Sequence, residues 1–289
     1  MDMIYNVSKF QAVRMGSVAE ARKPGSDRVH GVVSPSGDCF RGPCEAGSGD
    51  WFLEEVTAVS AGDIAKEILD GQRRVWDSSF VEVESMFGDG ESFSARRAAL
   101  AFRRAGVQHV LELGCGQGRD SLYFARKGFD VTAVDYSRAG LETLLNRAAV
   151  EGTERKITVV EADLRIALPF EDGTFDACYS HMLFCMAFSF RDLFFLSAEI
   201  RRVLGDGGLN IYTVRTKKDP HWRQGVHRGE EMYEMGGYIV RFFDRADVAL
   251  LAQGYAISEI SEFQEGALPR ELYYVEEAKR NLPPPDDMA

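Results

Sequence analysis

The sequence predicts an α/β fold, and three observations carry the prediction. Residues 110–135 read Val110-Leu-Glu-Leu-Gly-Cys-Gly-Gln-Gly118, then a helical stretch, then Phe129-Asp-Val-Thr-Ala-Val-Asp135, which is a strand, a glycine turn, a helix and a second strand ending in an acid. Further short apolar strand segments follow at intervals, with a helix-period segment among them. The chain has 289 residues of which 45% are hydrophobic, ample for the roughly 200 residues such a domain needs plus an appendage.

The glycine turn is the most informative element. Glycines at 114, 116 and 118 leave room for a ligand to lie directly on the backbone, where a Cβ would block it. Asp135 ends the second strand, where a carboxylate can accept hydrogen bonds from two vicinal hydroxyls, so the expected ligand is a nucleoside. Dinucleotide enzymes usually carry G-x-G-x-x-G and set a helix amino terminus against a pyrophosphate. Here the spacing is G-x-G-x-G, the sixth position is Arg119, and Glu112 stands two residues before the first glycine. A carboxylate there repels a pyrophosphate and can hold an ammonium, directly or through water.

The run Glu112-Leu-Gly-Cys-Gly-Gln-Gly118 resembles motif I of the class I S-adenosylmethionine-dependent methyltransferases. The longer string from Gly116 to Ser137 is similar to the tellurite-resistance and thiopurine branch, which acts on small molecules. That resemblance implies a three-layer Rossmann-like methyltransferase fold, with a mostly parallel seven-stranded sheet, a terminal antiparallel hairpin and amino-terminal lid helices. It implies S-adenosyl-L-methionine as cofactor, held by Glu112, Gly114, Cys115, Gly116, Gly118, Arg119, Asp135 and Tyr136. It also implies methyl transfer by in-line displacement to a small-molecule acceptor.

The later segments follow the same order. Ile157-Thr-Val-Val-Glu-Ala-Asp163 is a strand ending in an acid; by resemblance, Asp163 meets the adenine amino group and the backbone of Leu164 a ring nitrogen. A loop from Leu168 leads to a fourth strand whose end, Tyr179, Ser180 and His181, is expected to face the sulfonium and the acceptor. Apolar residues at 193, 196, 200, 203 and 204 line one face of a helix over 191–204. Gly205-Asp-Gly-Gly208 ends it, with Asp206 where the family usually has proline, and 209–214 is the fifth strand. Asp244 reads as the amino cap of a helix over 245–253. Segments 255–263 and 271–276, joined by a short loop containing Gly266 and Pro269, read as an antiparallel hairpin, which favours methyl transfer over hydride transfer by the same resemblance. The resemblance covers about residues 105–279.

Four regions result: a flexible extension at 1–60, a helical lid at 61–105, the cofactor-binding domain at 106–280 and a tail at 281–289. The extension is rich in Gly, Ser, Pro and charge and carries Cys39 and Cys44. In the lid, Ile64, Ile68, Leu69, Val75 and Trp76 form an apolar stripe; Trp76, Asp77, Phe80, Phe87 and Phe93 are candidates to cover the site, or else ordinary core aromatics. The segment from Lys217 to Gly237 is polar, glycine-rich and long for a plain connection, so His221, His227, Arg228, Glu230 and Tyr233 are candidate acceptor contacts, against a solvated loop. With Trp76, Phe87, His181 and Cys185 they complete the candidate acceptor pocket, whereas Cys115 and Cys178 read as packed small residues. The His221 and His227 spacing matches no metal signature, and no metal is expected.

Net charge of −11 and a pI near 5.1 argue against a nucleic-acid partner, as does the fourth-strand end, which lacks the Asn/Asp-Pro-Pro-aromatic string of base-methylating enzymes. The arginine pairs at 73–74, 96–97 and 103–104 read as solvated faces. Five cysteines without a CxxC pair fit reduced thiols in a cytoplasm, and no signal peptide is apparent. The most apolar stretch, 177–190, has about 14 residues, short of the roughly 20 that span a bilayer, so no membrane partner is expected. Oligomeric state and acceptor atom are not set by the sequence. A sulfonium needs chiefly alignment and dryness, and His181 can serve an oxygen or nitrogen acceptor as base or can be a buried, hydrogen-bonded strand-end residue. The alternatives are a noncatalytic cofactor-binding protein and a nicotinamide-dependent oxidoreductase.

Overall fold

The structure, a computed structural model, describes residues 66–266 and 270–280. The expected extension with Cys39 and Cys44, Ile64 of the lid stripe, Pro269 and the tail lie outside the described residues.

In chain order, helices α1 (Lys66–Glu82) and α2 (Phe93–Ala105) precede β1 (His109–Leu113), α3 (Arg119–Arg126), β2 (Asp130–Asp135), α4 (Arg138–Glu151), β3 (Ile157–Glu161) and β4 (Phe175–His181). Then come α5 (Phe190–Val203), β5 (Leu204–Arg215), three short strands β6 (Val226–Gly229), β7 (Met232–Met235) and β8 (Tyr238–Arg241), α6 (Arg245–Leu251), β9 (Tyr255–Glu265) and β10 (Arg270–Lys279). One sheet has the order β3-β2-β1-β4-β5-β10-β9, parallel through β5, with β10 antiparallel to both neighbours. The seven strands and the reversed final pair are those expected.

Local chemistry sets the ends of the helices. Ser92 accepts from Ala95 N at the start of α2, and Ser189/Asp192 and Asp244/Asp247 form capping boxes at α5 and α6, the last as the sequence predicts. On one face of the sheet α2 and α3 bury Ala95, Ala98, Phe102, Leu122 and Phe124 against Val110, Tyr179 and Ile211. On the other face Leu193, Leu196, Ile200 and Val248 of α5 and α6 pack on Leu111, Cys178, Tyr212 and Val275. Each such large side chain contributes about 1.5–3 kcal/mol by leaving water.

One region differs in kind from the expectation. The segment expected as a long acceptor loop contains most of an antiparallel meander, β6-β7-β8, whose turns use Gly236, Gly237 and the positive-φ pair Glu230 and Glu231. Its polar, glycine-rich composition reflects tight turns, and its strands are only four residues long, too short to show alternation against that background.

Candidate functional site

The carboxyl end of the parallel sheet carries the glycine turn. Gly114 N and Cys115 N donate to Val134 O (2.7 and 3.1 Å), which joins the turn to β2. Gly116 N donates to Asp135 Oδ2 and Ser137 N to Oδ1, both at 2.8 Å, while Gly118 N donates to Cys115 O at 2.9 Å. The N–H groups of residues 114, 115, 116 and 118 are therefore engaged inside the protein, unlike those of a turn built to cradle phosphate. Burial pushes the Asp135 carboxyl up to about 6, and the Ser137 and Gly116 N–H bonds limit the rise. Glu112 is buried, accepts from the Ser121 hydroxyl, and has its pKa raised by burial and by Asp120; its carboxylate faces α3. Cys115 is buried too. Gly116 (φ 52°) and Gly118 (φ 80°) need glycine twice over, because a Cβ at 118 would lie 2.2 Å from Leu144 Cδ1 and one at 116 would lie 3.1 Å from Phe80 Cζ.

Phe80 belongs to α1, which lies across this corner. Ser137 Oγ donates to Asp77 (2.6 Å), and Gln117 Nε2 donates to the carbonyls of Phe80 and Val83. Arg119 donates to Phe87 O at 2.9 Å. Trp76 packs against Phe80, Phe87 and Tyr238 with ring centroids 5.6, 6.2 and 4.9 Å away, and Ser79 and Gln72 bond to Tyr238, Gly237 and Ile239 of the meander. The lid candidates Trp76, Asp77, Phe80 and Phe87 thus converge over the glycine turn. Phe93 sits apart, against Phe263. Arg73, expected on a solvated face, pairs with Glu161, and Arg97 with Glu259 at 2.6 Å.

Past β3, Asp163 is gripped by Arg165 through Nε–Oδ1 (3.0 Å) and Nη2–Oδ2 (2.6 Å). Although burial acts to raise its pKa, these bonds hold it below the usual carboxylate range, and Arg165 also reaches Asp70 of α1 at 2.8 Å. An adenine amino group would share an oxygen already bonded to Arg165. Leu164 is buried, and half-buried Tyr136 lies within the fields of Asp135, Asp163 and Arg165.

At the end of β4 the expected residues separate onto two faces. Tyr179 is fully buried, its hydroxyl 2.7 Å from Ser94 Oγ, 3.0 Å from Ser92 Oγ and 3.1 Å from Asp120 Oδ2. Ser180 faces the other way, with no partner for its hydroxyl among the described residues. His181 has Nδ1 2.9 Å from both Ser94 Oγ and Thr213 Oγ1, and Nε2 3.2 Å from Glu265 Oε2. Burial acts to raise the Glu265 pKa, but the bond to His181 and its charge pull it down to about 2. The Cys185 side chain is sealed in the core with its thiol donating to Met182 O at 2.9 Å; burial raises its pKa to about 11.

The other acceptor candidates do not form one cluster. His221 joins the Arg215–Asp219 pair, whereas His227 is exposed with its ring against Tyr233, and Arg228 donates to Glu234 at 2.7 Å. Glu230 pairs with Arg241, a buried arginine that fastens the meander to the Phe188 carbonyl. Among the described residues no three His, Cys, Asp or Glu side chains gather as metal ligands, and no helix is long and apolar enough to cross a membrane. Sequence reading missed Gln117, Asp120, Thr213 and Glu265, whose contacts join segments far apart in the chain, and Arg270, which strand pairing sets opposite Glu265.

Residues 110–208, from the glycine turn into β5, match the methyltransferase domain family. The fold is similar to that of 1,6-didemethyltoxoflavin-N1-methyltransferase from Burkholderia thailandensis, solved with S-adenosylhomocysteine, with a TM-score of 0.60, 18% identity, and coverage of 77% of this chain and 94% of that one. Residues 110–208 carry a methyltransferase domain, on a Rossmann-like methyltransferase fold. The methyltransferase domain is also similar to a malonyl-[acyl-carrier protein] O-methyltransferase of Erwinia billingiae (strain Eb661), 32% identical over 43% of this chain and 45% of that one. An 18S rRNA (guanine-N(7))-methyltransferase of Bos taurus is 36% identical over 25% of this chain and 24% of its own length. The chain thus spans less than half the length of either relative, and the two differ widely in acceptor. The tellurite-resistance and thiopurine branch is not singled out by these matches.

Proposed function

We propose that this chain transfers a methyl group from S-adenosyl-L-methionine to a small-molecule acceptor. The observation that carries the reading is the Asp135 carboxylate, fixed by Gly116 N and Ser137 N at 2.8 Å at the end of β2 beside the glycine turn. Each oxygen of that carboxylate keeps a second acceptor direction for a ribose hydroxyl. The engaged turn N–H groups disfavour a pyrophosphate, which counts against the nicotinamide alternative. Gly114, Gly116, Gly118 and Cys115 would form the floor of the cofactor site, Tyr136, Asp163 and Leu164 the adenine side, and Arg119 with α1 the cover.

When bound, the cofactor supplies an activated methyl on a sulfonium. The chain's part is to align the acceptor and keep water out, which α1 and its Trp76–Phe80–Phe87 cluster suit. His181 stands at the carboxyl end of β4 between Glu265 and the Ser94 and Thr213 hydroxyls, so an accepted proton would be balanced by Glu265. A small acceptor accords with the acidic chain; the O-methylating acyl-carrier relative gives an oxygen acceptor the better support. The test is a panel of thiol, amine, phenol and carboxylate acceptors with labelled donor, read by mass. Transfer to at least one panel member is expected, and His181→Asn should lower turnover of a phenol or amine about 100-fold while sparing a thiolate. Cofactor binding without transfer to any acceptor would favour a noncatalytic protein.

A further inference from the structure

On the α2 side of the sheet, just beyond His181, the strands bring a row of charges together. His181 and Thr213 are register partners on β4 and β5 and touch through their side chains. Arg215 lies two residues beyond Thr213 and so on the same face, opposite Leu272 of β10. Arg270, two residues before Leu272, shares that face and is the register partner of Glu265. Four elements thus present His181, Arg215, Arg270 and Glu265 to one corner.

The charges there pair off except one. Arg215 is held by Asp219 at 3.0 and 2.6 Å and donates to His221 Nδ1 at 2.8 Å, while Glu265 faces His181 at 3.2 Å. The Arg270 guanidinium is half-buried yet makes no hydrogen bond, ion pair or ring contact among the described residues. Burial, reinforced by the like charge of Arg215, lowers its pKa. A partly desolvated guanidinium without a partner is costly, and a planar anion that accepts two parallel N–H bonds relieves that cost.

Resting on the methyl-transfer reading, we propose that Arg270 is an acceptor-binding residue that anchors a carboxylate of the substrate, setting the acceptor between this guanidinium and the His181 imidazole. A carboxylate fits better than a phosphate monoester. Only one cation is uncompensated here, and Asp219 and Glu265 flank it, so a dianion would carry surplus negative charge against two acids.

The test uses the full chain saturated with S-adenosylhomocysteine and titrated calorimetrically with benzoate, benzamide, hexanoate, hexanamide and phenyl phosphate. Wild type is expected to bind each carboxylate about tenfold or more tightly than its amide, and benzoate more tightly than phenyl phosphate. Arg270→Gln should erase the preference, Arg270→Lys should keep part of it, and both should leave S-adenosylhomocysteine affinity unchanged. The proposal is overturned by equal binding of acid and amide to wild type, by no carboxylate binding up to about 10 mM, by tighter phenyl phosphate binding, or by a preference that survives Arg270→Gln. Failure of wild type to bind S-adenosylhomocysteine, read in a separate titration, would instead sink the methyl-transfer reading.

Discussion

The cofactor corner and the acceptor corner lie on the same sheet edge but are built differently. The first is nearly contiguous: its central bond, from Gly116 N to Asp135, spans 19 residues, and the whole turn lies between 110 and 137. The second is assembled from α2, β4, β5, β9 and β10, with His181 bonded to Ser94 across 87 residues and to Thr213 across 32. A contiguous corner has its chemistry written in one stretch of sequence. A distributed corner depends on register, and register emerges only once strands pair.

The strongest way to break the contiguous corner is Gly118→Val. With φ at 80° and a Cβ falling 2.2 Å from Leu144 Cδ1, the side chain has no room, so the variant should lose several kcal/mol of stability or fail to fold. A melting temperature like wild type would mean that Leu144 can move and that the turn is slack. Gly116→Val crowds less, the tip of the Phe80 ring of α1 being its nearest neighbour at 3.1 Å, but it carries the strain of φ 52° as well.

Asp135→Ala comes next. It removes a carboxylate that binds two backbone N–H groups and, in the proposed site, the ribose, so S-adenosylhomocysteine affinity should fall about tenfold or more. Unchanged calorimetric affinity in a folded variant would remove the acid from the site.

A smaller effect checks that the corners report on ligands rather than on the sheet. Glu277 of β10 is buried, bonded to Asn210 Nδ2 at 2.8 Å, and burial pushes its carboxyl up from 4.5 to about 8. The native state therefore holds this proton more tightly than the unfolded chain does. Its stabilising contribution is complete below pH 4.5 and is lost as pH rises through about 8. Wild type should melt roughly 5 °C or more lower at pH 9 than at pH 5, and Glu277→Gln should reduce that difference, leaving the part that Asp135 and Glu112 carry. A profile that Glu277→Gln leaves unaltered would assign the pH dependence to other groups.

The same contrast explains what the sequence made legible. The strand, turn and acid of residues 110–135, the helix cap at Asp244 and the reversed final hairpin all have local signals, and the structure carries each of them, whereas the expected stop at 205–208 lies inside β5, the helix having ended at Val203 with Leu204 as its cap. The meander at 226–241 was hidden because four-residue strands between glycine turns look like a polar loop. Glu265 and Arg270 were hidden for a different reason: each is one charge among many until β9 and β10 pair and bring them beside His181 and Arg215. Cys185 read as a pocket residue from its place after β4, yet the side chain turns into the core under α5.

The most direct test of the central claim is calorimetric titration of the wild-type chain with S-adenosylhomocysteine and, in parallel, with NAD. A glycine turn whose N–H groups are spent on Val134, Asp135 and Cys115, beside an acid fixed for a ribose, predicts one S-adenosylhomocysteine per chain at micromolar or tighter affinity and no binding of NAD. Binding of NAD with none of S-adenosylhomocysteine would contradict the account.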